Sequence, residues 1–443
     1  MLPSYLQSTR EEVIEYARAA GLDFFEVIFE MLTSDEMSQI ASYGGFPTRY
    51  RNWRFGMEYD RFSKTYQYGL SRIYELVINN DPCYAYLLES NTPLDQKLVM
   101  AHVYAHSDFF KNNAHFGHTN RKMVDEMANH GTRISNYVDR YGLSEIEDFL
   151  DYSHSIDNLI DTHYQGTVSK IDEKRDILNF LVHNADLSEW QHDILSIVRK
   201  ESYYFLPQMQ TKIMNEGWAT FWHSKIMTEN ALRDDEVIDY ALSHSGTVAT
   251  SPGRINPYKM GVELFRHIKD RWDKGKFGQE FESCEDIQVR SKWDKHLGLG
   301  IKKVFDVRKI YNDIMFLDEF LTEEFCVEQK LFIYQLDQKT GHYIIKDRDH
   351  RKVKEKILFS LTNLGNPIIL LRDGNYEGKG ILYLYHKHIG SDLKLDKSKD
   401  TLKALHHIWK KSVYLETKIQ DKGLLLTFDG RDHREHPINY SEE

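Results

Sequence analysis

Cysteine is nearly absent from this chain. Only Cys83, Cys284 and Cys326 occur, far apart and without C-x-x-C spacing. That excludes a cysteine-built zinc site and suits a reducing compartment. Long apolar runs are missing as well. No stretch approaches the roughly 20 apolar residues that a membrane-spanning helix needs. The opening, MLPSYLQSTREEVIEYARAAG, lacks the charged-then-apolar layout of a secretory signal, so the expected location is the cytoplasm. Positive charge is not in excess: 57 Lys and Arg stand against 68 Asp and Glu, a formal net charge of −11. That argues against a nucleic-acid backbone as partner, because such binding is driven by clustered cations. There is no P-loop, no G-x-G-x-x-G after a strand and no G-x-S-x-G elbow. RDGNYEGKG at 372–380 carries three glycines but reads as a hairpin turn.

What is present is a globular mix. The 443 residues, 41% hydrophobic and 28% charged, suffice for two or three compact domains. The pattern predicts a mainly α protein: a large helical domain with a little sheet over 1–325 and a small α+β domain over 326–443. Thr92 is a plausible N-cap, with Pro93 first in its helix and Gln96 near the capping-box position. Apolar residues at helical spacing run from Phe55 to Ile78, and further helices are expected at 119–140, 144–162, 172–183 and 188–204. Another starts near Pro207 and runs through Glu216 towards Asn230. Two more cover 234–249 and 257–273. CYAYLL at 83–88 is the best strand candidate in this half. After about residue 328 the periodicity turns to alternation, and the order reads ββαββαββ, an antiparallel sheet with both helices on one face. The last dozen residues are polar and expected to fray.

The strongest chemical signal is LVMAHVYAHSDFF at 98–110. His102 and His106, four apart on a helix, put both imidazoles on one face, the arrangement a zinc ion needs from two ligands. The alternative is two buried histidines satisfied by hydrogen bonds. MNEGWATFWH at 214–223 adds Glu216, a carboxylate in an aromatic helix that is costly to bury unless paired. It is the natural third ligand, with solvent in the fourth position. The alternative is a core salt bridge, for example to Arg133. Downstream, His244 and Tyr258 stand where they could donate hydrogen bonds to an oxyanion.

The layout resembles the gluzincin-type metallopeptidases, with two histidines on one helix, a later E-G-W-A glutamate and a Tyr or His beyond. More specifically, the chain resembles the SpoVR family, the stage V sporulation protein R-like proteins. The carrying phrases are GFPTRY (45–50), WRFGMEY (53–59), HVYAHSDFFKNN (102–113), NEGWATFWH (215–223) and SPG…NPY (251–258). That resemblance implies a zincin-like helical domain, a divalent metal such as zinc on His102, His106 and Glu216, and a cytoplasmic bacterial protein. It also implies a link to the spore cortex or cell envelope, and so a protein or cell-wall-related partner. One departure matters. Gluzincins carry H-E-x-x-H, whose glutamate is the general base, and here that position is Val103. Glu126, Asp125 and His130 are candidate substitutes. Asp108 is a candidate acceptor orienting a ligand histidine.

Two functions stand. One is a metal-dependent hydrolase acting on an amide bond. The other is a zincin-derived structural or regulatory factor without peptidase activity.

Overall fold

The computed structural model describes residues 2–67, 75–164, 172–250 and 253–440. They form a mainly α protein with three small sheets, and no described helix is long and apolar enough to cross a membrane.

At the centre lies the helix Pro93–Asn112. The Thr92 hydroxyl accepts the Asp95 N–H, the Asp95 carboxylate reaches back to Thr92, and Pro93 opens the first turn. The box residue is thus Asp95. Gln96 instead donates its amide to Leu88 O at 2.7 Å, tying helix to strand. Every residue from Val99 to Phe110 is buried, as expected of a helix enclosed on all sides. It packs on a three-stranded sheet in the order β1-β3-β2, built from β1 (Val27–Leu32), β2 (Glu75–Ile78) and β3 (Cys83–Leu88). β1 runs parallel to β3 and β2 antiparallel. The strand at 83–88 is the one the sequence marks. The helical span expected over 55–78 divides into a helix, Trp53–Gln67, and β2, and residues 68–74 lie outside the described residues.

The helix Lys212–Ile226 packs on Pro93–Asn112 and on Pro257–Lys274. It does not begin near Pro207, which lies inside the preceding helix Glu189–Gln210. Its start is set from a distance: the Asp313 carboxylate accepts the N–H groups of Ile213 and Met214 at 2.8 and 2.9 Å. That satisfies two of the donors every helix leaves open at its N-terminus. Burial pushes the Asp313 pKa up to about 7 despite those two donors. Gly217 and Gly261 meet where this helix crosses Pro257–Lys274. A Cβ on either would overlap the other's backbone.

The C-terminal segment holds the expected ββαββαββ order with one further strand, in a different topology. β4 (Ile333–Leu336) and β5 (Tyr343–Asp347) form their own hairpin. A five-stranded sheet follows in the order β10-β9-β8-β7-β6, from β6 (Ile368–Tyr376), β7 (Ile381–Lys387), β8 (Val413–Ile419), β9 (Lys422–Phe428) and β10 (His433–Pro437). The sheet is not wholly antiparallel. β7 and β8 pair in parallel, which requires a crossover, and the helix Leu395–Trp409 supplies it. Nor do both helices cover one sheet. His350–Leu361 packs on the helix Asp313–Phe320, and its Val353 joins the core around the Pro93–Asn112 helix. The chain end forms β10 and is described up to Tyr440.

Leu382, Leu384, Val413, Leu415 and Phe428 of this sheet share one core with Ile134, Ile146, Phe149, Leu178, Trp190 and Ile194. Separating 1–325 from 326–443 would therefore bare an apolar face on both pieces. Expressed alone, 1–325 should bind a hydrophobic dye and self-associate on gel filtration. A monomer melting as cooperatively as the full chain would show that the two parts are independent domains. The glycine crossing gives a second expectation. Gly217→Ala should cost roughly 1–3 kcal/mol or more, as overpacking does, and lower the thermal midpoint. Gly246→Ala, with nothing within 4 Å of the added carbon, should be neutral or slightly stabilising.

Candidate metal centre

Two neighbouring helices supply the cluster. His102 and His106 lie one turn apart, rings 4.5 Å between centroids and nearly perpendicular at 83°. Each Nε2 stands 3.6 Å from Glu216 Oε2, and one ligand atom from each of the three residues falls within 4.8 Å of the others. A tetrahedral zinc ion with bonds of 2.0–2.1 Å holds adjacent ligand atoms about 3.4 Å apart. The observed spacing thus suits a shared cation better than N–H···O hydrogen bonds, which prefer roughly 2.7–3.2 Å. Glu216 Oε2 is buried with both imidazole nitrogens beyond ordinary hydrogen-bond length, a costly state that a cation would relieve. Two imidazoles and a carboxylate are also ordinary zinc donors. The residues present fit the metal.

Their neighbours hold them in place. His106 Nδ1 donates to Asn215 Oδ1 at 2.9 Å, which leaves Nε2 with its lone pair facing Glu216. His106 stacks on Phe110 at 6.1 Å. Burial, reinforced by His102, lowers the His106 pKa to about 4, so it is neutral and competent as a ligand near pH 7. Burial alone would raise the Glu216 pKa, but the two imidazoles and a hydrogen bond from Tyr258 outweigh it and keep the carboxylate below its usual range. The Tyr258 ring also stacks on His102, 6.2 Å away and 26° from parallel. Tyr258 is in the first turn of Pro257–Lys274, capped by Asn256, whose side chain accepts the Lys259 N–H. Ser251 and Pro252 of the same phrase lie outside the described residues.

The other candidates fall elsewhere. His244 does not touch the three ligands. It meets His223 and Tyr240, its Nδ1 3.5 Å from His223 Nε2 and its ring stacked on Tyr240. Glu126 and His130 face a second buried network. His130 bonds Glu126 at 3.1 Å and Glu201 at 3.0 Å, and Glu201 is paired with Arg49 and hydrogen-bonded by Tyr50. Asp125 is in the first turn of the same Met123–Tyr141 helix. Asp108 orients no histidine. It accepts Trp218 Nε1–H at 2.9 Å and the Asp23 N–H at 2.8 Å, with Arg308 3.6 Å away. Arg133 pairs with Asp193, not with Glu216. Val103 is fully buried in the core.

Sequence reasoning passed over two residues that matter here. His223 Nδ1 lies 2.8 Å from His102 Nδ1, and Asn215 holds His106. Their signal was positional: Asn215 precedes Glu216, and His223 follows it by two helical turns. Burial, and then the neighbouring His102 and His244, drive the His223 pKa well below its usual value.

The sequence matches the family described as SpoVR like protein over residues 2–175 and 167–366. It is also 29% identical to the uncharacterized protein YcgB of Escherichia coli (strain K12), over 94% of this chain and 92% of that protein. No solved structure matches the chain.

The geometry sets a direct expectation. Protein purified from zinc-supplemented medium should carry about one divalent ion per chain, and His102→Ala or Glu216→Ala should lose it. Elemental analysis with a native mass measures this. Wild-type protein with no bound ion, under conditions where it melts cooperatively, would remove the site.

Proposed function

The chain belongs to the SpoVR-like protein family, and within that family we propose that this protein holds one zinc-type divalent ion and acts as a metal-dependent amide hydrolase. The observation that carries this reading is the convergence of His102 Nε2 and His106 Nε2 on Glu216 Oε2, with Tyr258 beside them. When bound to such a ligand set, zinc polarises a carbonyl and acidifies water. The protein's own residues do the rest. His102, His106 and Glu216 bind the ion. Tyr258, hydrogen-bonded to Glu216, is placed to offer its hydroxyl to an oxygen that gains charge during acyl transfer. The substrate class to test first is the amide bond of peptidoglycan-type peptides, following the cortex and envelope link that the family resemblance implies. The cytoplasm and a protein or cell-wall-related partner belong to the same reading.

A second reading, a zincin-derived structural or regulatory factor, is favoured by Val103. A buried alkyl group takes no proton, and general acid–base help is typically worth about 10²–10⁴-fold in rate. Activity on generic peptides should therefore be weak. With casein, turnover should stay at least about 100-fold below that of a peptidase carrying the H-E-x-x-H glutamate. With a cell-wall peptide panel, chelator-sensitive amide cleavage should vanish in Glu216→Ala and fall about 10–1000-fold in Tyr258→Phe. Metal-loaded protein inert across the whole panel would establish the second reading. Brisk casein cleavage would show that a base has been overlooked.

A further inference from the structure

From the His102–His223 contact we infer that His223 is a positioning residue: it accepts the Nδ1 proton of His102 and so turns the His102 Nε2 lone pair towards the metal site. The inference rests on the metal reading above and adds a residue to it.

His102 and His223 are both buried, at 4% and 2% exposure, and their Nδ1 atoms are 2.8 Å apart. A contact that short between two imidazole nitrogens needs one proton between them, with one ring donating and the other accepting. To ligate through Nε2, His102 must carry its proton on Nδ1. His223 must then present a bare Nδ1, which puts the His223 proton on Nε2. That nitrogen points at His244 Nδ1, 3.5 Å away. Ligation at one end thus sets the protons of three imidazoles in series. His106 is oriented in the same way by a different group, the Asn215 amide oxygen at 2.9 Å. Both ligand histidines are therefore oriented through Nδ1, and both acceptors are neutral. Carboxylates are common in this position. A neutral acceptor adds no negative charge, so Glu216 is the one anion among the five residues, and an ion held there would keep more of its pull on a carbonyl.

Helical register makes this possible. Asn215, Glu216 and His223 share the helix Lys212–Ile226. One helix therefore supplies the third ligand and the acceptors for both histidines of the other helix.

The test compares zinc affinity, by chelator competition, in the full-length wild type, His223→Leu, His223→Asn and His223→Gln. Leu keeps bulk and removes the acceptor. Asn places an oxygen near the original Nδ1, and Gln places it one bond further out. Loss of such an orienting partner typically weakens binding 10–100-fold. We expect that loss in His223→Leu, near wild-type affinity in His223→Asn and an intermediate value in His223→Gln. Imidazole ¹⁵N spectra of the zinc-loaded protein should show a slowly exchanging His102 Nδ1–H in the wild type and in His223→Asn. A merely structural role would move the apo melting point but would not restore affinity through Asn. If His223→Leu does not fold, the Asn and Gln pair decides the matter, and equal affinities in both and in wild type overturn the inference. Zinc uptake by the wild type with unchanged affinity in a folded His223→Leu also overturns it, leaving the metal reading intact. A wild type that takes up no zinc overturns the metal reading and this inference with it.

Discussion

The centre depends on two helices touching backbone to backbone. Gly217 and Gly261 leave no room for a side chain between Lys212–Ile226 and Pro257–Lys274. Gly217 follows Glu216 directly, and Gly261 is three residues, about one turn, beyond Tyr258. Closing the helices at these glycines therefore brings the Tyr258 hydroxyl to the Glu216 carboxylate. With ordinary side chains the helix axes would stand at the usual 8–10 Å separation. The sequence phrase E-G-W-A thus has a physical reading: the glutamate faces the two histidines and the glycine sets how near the tyrosine comes.

Around this contact the helices are anchored by buried carboxylates that do not belong to the centre. Asp313 fixes the N-terminus of the Glu216 helix, and Asp108 joins the His102 helix to Trp218 and to Arg308. Burial raises the Asp108 pKa to about 6 in spite of Arg308, so both groups are costly to ionise where they sit. A low dielectric makes satisfied bonds stronger and unsatisfied ones dearer. The same dryness acts on the His102–His106–Glu216 trio, where Glu216 Oε2 lies 3.6 Å from both imidazoles. Buried carboxylates near the centre are either hydrogen-bonded or aimed at the site.

How much of this could be read in the sequence follows from how local each signal is. The spacing of His102 and His106 is a helix-face argument, and the structure does bring both rings and Glu216 together; the strand at 83–88 is also found. The helix boundary at Lys212 was misplaced because its cap, Asp313, lies 100 residues away. No window around Pro207 contains that information. β1 escaped because VIFEML is a short run with no clean alternation, and its burial is uneven too. The parallel β7–β8 pair escaped because strand alternation gives no direction. Glu126 and His130 were sound as a pair, four apart on one helix face, but the pattern could not say which network that face meets. It meets Glu201, which is itself held by Arg49 and Tyr50 of the GFPTRY phrase. That phrase, part of the family resemblance, therefore lies in a second buried network.

On the proposed reading, Val103 is the residue on which the chemistry would turn. It is fully exposed to the core and not to solvent, at 0% accessibility, next to a ligand histidine. A glutamate placed there would bring a charge into the hydrophobic cluster of Val99, Met100, Tyr104 and Phe109, unless its side chain turned into the cleft. Valine at this position keeps the packing. Beside the three residues stand the Tyr258 hydroxyl and a set of imidazoles, of which His106 and His223 have pKa values lowered by burial. On the proposed metal reading, such a set would bind and polarise a carbonyl more readily than it would move protons.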